Sequence, residues 1–325
     1  MPSNIPSLET LQGETALKPA TGSAPACAEP MVSVVTVCLN PLREGRKELF
    51  QKNLDSVQRQ TGVAVEHIII DGASTDGTLD FLASYVNTHY NVRILSQPDS
   101  GIYEAMNRGI ALARGKYVTF LNSDDYYHQP DGLALSVKTL QESGCSFSFA
   151  PILPAGSPFL HRLHRHPERH LHRIFLFPTI PHQSMLYRRT TLVEAGGYDP
   201  SYRMGGDHDL TLRLVAAGHK ACFVGKAFVS FAAGGFSTQD AELKLREKMR
   251  RVKHFHRQVF GVELSDKETE TLVRRYRYPR RYLSVYVASQ RMIGQTFVGV
   301  PQGLWARLLR CFNYWKYFLK CLLGV

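Results

Sequence analysis

Hydrophobic positions along the first half of the chain switch regularly between two spacings. VSVVTVCLN, residues 32–40, is a nearly unbroken apolar run rich in β-branched side chains, the pattern of a strand buried on both faces. Phe50, Leu54 and Val57 then recur at i, i+4 and i+7, which is one face of a helix. The alternation continues with HIIID (67–71) followed by Leu79, Leu82 and Val86, then VRILSQ (92–97) followed by Ile102, Met106 and Ile110, then YVTFLN (117–122). Four strands joined by helical crossovers predict an α/β fold built on an open, mostly parallel sheet flanked by helices.

Past Phe149 the rhythm changes. FLHRLHRHPERHLHRIF (159–175) interleaves five histidines with four arginines. FPTIPHQSMLYRR (177–189) predicts a strand entering a helix, DHDLTLRLVAAG (207–218) a helix with a stop glycine, and CFVGKAFVSFAAGGFS (222–237) a strand ending in glycines. The remainder reads as helical. The division that follows is a flexible leader over 1–30, an α/β domain over 31–237, and a helical region over 238–325.

Charge sharpens that division. Residues 241–325 carry 18 Lys and Arg against 6 Asp and Glu, a net of +12, whereas residues 1–240 sum to −1. The six cysteines form no C-x-x-C pair and suit reduced thiols better than a disulfide framework. No basic segment followed by an apolar stretch opens the chain, and no run of 18 apolar residues occurs, so neither a secretory signal nor a conventional spanning helix is expected.

Candidate chemistry lies at the strand ends. In an open α/β sheet ligands bind beyond the carboxyl ends of the strands. Asn40, Asp71 and the Asn122-Ser123-Asp124-Asp125 group all fall there, so they should converge on one crevice. Two neighbouring carboxylates repel unless a positive charge or solvent offsets them. Mg2+ or Mn2+ would do so, since both take hard oxygen ligands and leave positions for substrate phosphates. An Asp-Asp surface turn or helix cap before Pro130 explains the same pair equally well. Asp71, taken alone, reads more readily as an Asx-turn residue.

The ordered series VSVVTVCLN, HIIIDGASTDGT, QPDSGIYEAMNRGI, GKYVTFLNSDD, PHQSMLYRR, GGYDPSYRMGGDHDLTLRL and FAAGGFS resembles the inverting glycosyltransferases of family 2. It is most similar to the branch found in bacterial capsule, O-antigen and exopolysaccharide clusters. The resemblance spans roughly residues 31–237. It implies a GT-A fold and a nucleotide-diphosphate-sugar donor, with Thr36, Val37 and Asn40 bordering base and ribose and Asp71 accepting a hydrogen bond from uracil. Asp99 would help enclose the nucleotide; Asn122, Ser123 and Asp124 would stand at the DxD position, with Asp124 as the Mn2+ or Mg2+ ligand. Asp207 would be the catalytic base, and His182, Asp125 and Asp209 would lie toward the diphosphate or acceptor. Two positions depart from the family pattern: Asn122 replaces the first acid of DxD, and Gly206 replaces the frequent Glu before the base.

The basic end adds an expectation about partners. LWARLLRCFNYWKYFLKCLL (304–323) projects Arg307, Arg310, Lys316 and Lys320 on one half of a helix and Trp305, Leu308, Phe312 and Trp315 on the other, which suits an anionic bilayer interface. RRYRYPRRY (274–282) adds five arginines. Packing against the protein itself, and nucleic-acid binding, are the alternatives; the family context favours the membrane. These readings combine into a cytoplasmic transferase peripherally bound to the inner face of the plasma membrane. It would move a hexosyl or N-acetylhexosaminyl group from a UDP-sugar to a lipid-linked glycan acceptor. A catalytically degenerate nucleotide-sugar-binding subunit and a nucleotidyltransferase are the rivals, although LNPLREG is a poor match to a nucleotidyltransferase phosphate loop.

Overall fold

A computed structural model describes residues 3–7, 10–11, 15–17, 29–43, 45–89, 91–155, 166–232, 240–275, 278, 280–298 and 300. The amphipathic segment 304–323, the histidine-arginine tract before His166, the glycines after Ala232 and part of 274–282 lie outside the described residues.

Strand β2 (Val32–Cys38) is buried along its whole length, as its β-branched run requires. It pairs in parallel with β3 (Val65–Asp71) on one side and β5 (Tyr117–Phe120) on the other. Beyond β3 lies β4 (Val92–Ser96), again parallel. Beyond β5 the sheet continues through β9 (Leu186–Arg188), which is antiparallel to both its neighbours, then β7 (Phe147–Phe149) and β10 (Ala221–Phe223). A second, three-stranded sheet joins β6 (Tyr126–Tyr127), β11 (Val229–Ala232) and β8 (Ile152–Ala155).

Helices cover both faces of the large sheet. On one, α1 (Lys47–Gln58) and α2 (Thr78–Val86) bury Phe50, Leu54 and Leu82 against Ile69 and Ile94. On the other, α3 (Ile102–Leu112) lays Met106 and Ile110 over Val35, Ile68 and Ile70. Gly109 permits that contact, because a Cβ there would stand 2.3 Å from Val35 Cγ1. Two further helices, α4 (Gly132–Ser143) and α5 (Arg189–Glu194), precede α6 (Gly206–Ala216), the helix expected from DHDLTLRL.

Described residues of both the leader and the C-terminal region join this body. The leader, expected to be flexible, contributes β1 (Thr15–Leu17), paired antiparallel with β4, and Asn4 N–H donates to Gly196 O at 2.9 Å. The C-terminal region, expected to be helical to the end, contributes β12 (Phe297–Val298), which extends the large sheet beside β10. Its helices α7 (Ala241–Phe260), α8 (Asp266–Arg275) and α9 (Leu283–Thr296) also join the body, with α7 and α9 both contacting α6. The boundary drawn at residue 237 therefore runs through continuous packing: apolar side chains of α7 and α9, Phe255 and Ile293, belong to the same core cluster as Val35 and Leu210. Charge composition marks a change of surface there, and the core ignores it.

The described cysteines Cys38, Cys145 and Cys222 are buried and unpaired. Among the described residues no helix is long and apolar enough to cross a membrane.

Candidate functional site

Strand ends gather the predicted residues on one edge, but their side chains do different work. The adjacent carboxylates separate. Asp125 turns inward and is fully buried, with one oxygen accepting from Ala232 N–H at 3.0 Å and the other from Asn122 Nδ2 at 3.3 Å. Burial, reinforced by Asp124, pushes its carboxyl well above the usual carboxylate range. Asp124 turns outward, one fifth exposed, with Arg46 Nη1 3.9 Å away. Burial raises its pKa too, against the opposing pull of its own backbone N–H, Arg46 and His182. Repulsion between the pair is thus relieved by placing one in a nest of donors and the other beside a cation. Asp125 belongs to the scaffold rather than to the acceptor side.

Asn53 of α1 makes this turn rigid. Its Nδ2 donates to Asn122 O at 2.7 Å and to Asp125 O at 2.8 Å, and the residue is fully buried. Asn122 then presents an Oδ1 that is buried without a hydrogen-bond partner, and its Nδ2 stands 3.4 Å from His182 Nε2. The other ring nitrogen, His182 Nδ1, is likewise buried and unpartnered. Orphaned buried acceptors cost stability unless a ligand completes them.

Asp207, in the first turn of α6, lies within electrostatic reach of the same His182. Tyr103 OH, from α3, lies 3.3 Å from its Oδ1. Burial raises the Asp207 pKa, but His182, His208, Arg251 and the His208 N–H together outweigh that and hold the carboxyl below its ordinary range. It is therefore ionised and able to accept a proton at neutral pH. His182, whose own pKa burial depresses, feels both Asp207 and Asp124, so both carboxylates lie within electrostatic reach of its ring. The departure at Gly206 has a steric cause: a Cβ there would meet the Tyr103 ring at 2.9 Å. Tyr103 occupies the space a longer residue would need.

The loop of the nucleotide side is self-sufficient. Asp71 is fully buried; its oxygens accept from Ser74 Oγ at 2.5 Å, Ser74 N–H at 3.0 Å and Ser96 Oγ at 2.6 Å, with Cys38 Sγ 3.7 Å away. All its lone-pair directions are engaged within the protein, the geometry of the Asx-turn alternative. Asn40, at a left-handed φ of 50°, accepts from Thr75 N–H at 2.8 Å and braces the same loop. Thr36 is fully buried, its hydroxyl 2.9 Å from His67 Nε2, and Val37 packs in the core, so both shape β2 from within. Leu39, which is exposed, and Asp99 both lie over Gly72, the Asp99 Oδ2 2.9 Å and Leu39 Cδ1 3.4 Å from where a Cβ would be, and Ser123 is half-buried. Burial raises the Asp99 pKa, partly offset by the N–H of Gly101.

Asp209 is committed elsewhere. Arg213 Nε pairs with it at 2.8 Å, while the same guanidinium donates to Ala195 O and Gly197 O. Two residues along a helix from Asp207, it points to another side of the helix and is removed from the acceptor side. A separate cavity of about 560 Å3, lined by Arg114, Lys116, Arg188 and Arg189, lies at the starts of β2 and β5 and does not touch these groups.

Sequence reasoning missed Arg46, Asn53 and Tyr103. Only Tyr103 had a signal, as part of the motif GIYEAMNRGI; the other two matter through contacts that the chain makes 69 or more residues away.

The profile of glycosyl transferase family 2 matches residues 33–196. The chain belongs to that family. A glycosyltransferase of PGL/p-HBAD biosynthesis from Mycobacterium bovis is 31% identical over 205 residues, 62% of this chain and 73% of that one. A putative teichuronic acid biosynthesis glycosyltransferase, TuaG of Bacillus subtilis, is 34% identical over 122 residues, 37% of this chain and 46% of that one. The fold is shared with S. aureus TarS solved with UDP-GlcNAc, at TM-score 0.55 and 17% identity over 78% of this chain and 72% of that one. It is shared also with the mannosyltransferase PcManGT of Pyrobaculum calidifontis solved with GDP-Man and Mn2+, at TM-score 0.53 and 17% identity over 91% and 83%. The fold is therefore GT-A and the chain is a glycosyltransferase.

Proposed function

We propose that this family 2 enzyme transfers one hexosyl or N-acetylhexosaminyl group, with inversion, from a UDP-sugar to a lipid-linked glycan in cell-surface polysaccharide assembly. The observation that carries the reading is Asp207, its carboxyl held below the ordinary range, sharing with Asp124 the neighbour His182, whose ring stands 3.4 Å from Asn122. Inversion requires a carboxylate on the face opposite the leaving group. Asp207 would take the acceptor hydroxyl proton as that oxygen bonds to the anomeric carbon, while the bond from that carbon to the diphosphate breaks and UDP departs with the electron pair.

The residues present fit a divalent ion. Asp124 offers one outward carboxylate and Asn122 Oδ1 an unpartnered acceptor, and magnesium or manganese accepts so sparse a protein set when substrate phosphates supply the rest. Among the described residues no cluster of three His, Cys, Asp or Glu is arranged for a metal. Such an ion, when bound, would offset charge on the diphosphate and make it a better leaving group.

The neighbours differ in nucleotide, one holding UDP-GlcNAc and the other GDP-Man, so the uridine assignment rests on the resemblance of the first two strand ends. The relative named for teichuronic acid biosynthesis supports a polysaccharide product, and the cationic C-terminal quarter supports an acceptor presented at an anionic membrane on the cytoplasmic side. A thermal-shift screen of UDP-, GDP- and dTDP-sugars with Mn2+ tests the donor; the expected result is stabilisation by one UDP-sugar above the others. No stabilisation by any of the three would sink the reading.

A further inference from the structure

Helix α7 lies beyond the family match and beyond the predicted catalytic boundary, yet it holds the backbone that leads into Asp207. Glu247 is buried, and its two oxygens accept from Arg203 N–H and Met204 N–H, each at 2.7 Å. One turn on, Arg251 is 4% exposed and donates from Nη1 to Gly205 O at 3.1 Å and from Nε to His208 Nδ1 at 3.0 Å. That bond assigns the imidazole: Nδ1 accepts, so Nε2 carries the hydrogen and donates to Ile174 O at 2.6 Å. Residues 203, 204, 205 and 208 are thus all fixed from one helix face, and Asp207 sits inside the bracket.

The fit is tight. Gly205 has a left-handed φ of 85°, and a Cβ there would come within 2.6 Å of Arg251 Nη1. Two buried charges one turn apart, each satisfied by loop backbone rather than by the other, are costly unless geometry repays them. A stability role alone would be met by apolar packing of the kind Val252 and Phe255 already provide on the same helix.

We propose that Glu247 and Arg251 are positioning residues for transfer, a clamp from the C-terminal region that sets where the Asp207 carboxylate points. The clamp rests on the reading of Asp207 as base. It makes the region after residue 237 part of the catalytic machinery, in addition to any role at a membrane. Groups facing Asp207 from other elements are His182, Tyr103, Tyr187 and Tyr198; of these Tyr103 also meets the loop, its hydroxyl bonded to the backbone of Gly205, Gly206 and Asp207, so the loop is held from α3 on one side and from α7 on the other.

The test measures nucleoside diphosphate released during transfer from the sugar nucleotide selected by the donor screen, in the full-length protein. Glu247→Gln, Arg251→Gln and Arg251→Lys are compared with Asp207→Asn. Expected is a fall in kcat of about 10²-fold for Arg251→Gln, with the donor KM within about twofold, since a misplacement near 1 Å costs that much in rate. Arg251→Lys, which keeps the charge and one donor, should recover part of the loss, and Glu247→Gln, which keeps one acceptor, should fall between. Hydrogen exchange should show the Arg203 and Met204 amides losing protection in Glu247→Gln while β2 and β3 keep theirs, a readout that survives if Arg251→Gln folds poorly. An unchanged kcat in Glu247→Gln and Arg251→Lys, or a loss confined to KM, overturns the clamp. Retained turnover in Asp207→Asn overturns instead the base on which it rests.

Discussion

The two sides of the candidate site are built on opposite plans. On the donor side, Asp71, Asn40 and the Asn122–Asp125 turn lie at or directly after strand ends, and each is braced from the adjoining elements of the sheet's first half, by Ser74 and Thr75 after β3 and by Asn53 on α1. On the base side, Asp207 follows a loop with two glycines and is held by Tyr103 from 104 residues upstream and by a clamp more than forty residues downstream. The first plan localises chemistry by register: Cys38 pairs with Asp71, so a strand end cannot move without breaking the sheet. The second localises it by side-chain contacts, which single substitutions can release.

The comparison can be broken most forcefully at Asp207. Its change to Asn should lower turnover by about 10²- to 10⁴-fold while UDP binding is retained, because only the proton acceptor is lost; titration of the variant with UDP separates the two effects. Next is Asp124→Asn, expected to weaken Mn2+-dependent UDP binding about 10- to 100-fold. An equal affinity with and without Mn2+ in the parent protein would remove Asp124 as the ion's partner.

Stability against pH sharpens the same contrast at a smaller scale. Burial lowers the pKa of His67 on the donor side to about 3, and that of His208 on the base side, with help from Arg251, also to about 3, both from an ordinary value of 6.5. Each histidine is neutral in the fold and binds a proton more readily when unfolded. Its contribution is present above 6.5 and is lost as the pH falls below it, at up to about 1.4 kcal/mol per pH unit each. Urea unfolding between pH 7 and pH 4 measures the slope, and His67→Gln should flatten it wherever the variant folds. The smallest effect is expected at Asp125→Asn. A carboxyl whose pKa is raised destabilises the fold as the pH rises through the range between its ordinary and raised values. The amide should therefore cost less than about 1 kcal/mol at pH 7, where neighbouring Asp124→Asn acts on ligand binding instead.

Legibility followed those two plans. The parallel sheet, its crossovers and the edge on which the strand-end motifs lie were visible in the periodicity of residues 32–122, because a strand buried on both faces must be apolar throughout. The roles within the strand-end motifs were not. Asp71 and Asp125 share their residue type with Asp124, yet they accept hydrogen bonds from the protein itself, and only the surroundings of each carboxylate distinguish them. Likewise Gly206 reads as a departure from the family until the ring of Tyr103 is seen beside it.

Local pattern, then, determined the elements, their order and the family, since backbone period and burial are properties of neighbouring residues. Tertiary structure alone decided which acids are committed to the protein's own hydrogen bonds, that β12 extends the sheet, and that Glu247 and Arg251 reach the loop before Asp207. Hydrogen bonds between residues far apart in the chain leave no periodicity to read, and charge composition, which suggested a boundary at 237, reports the surface and not the interior.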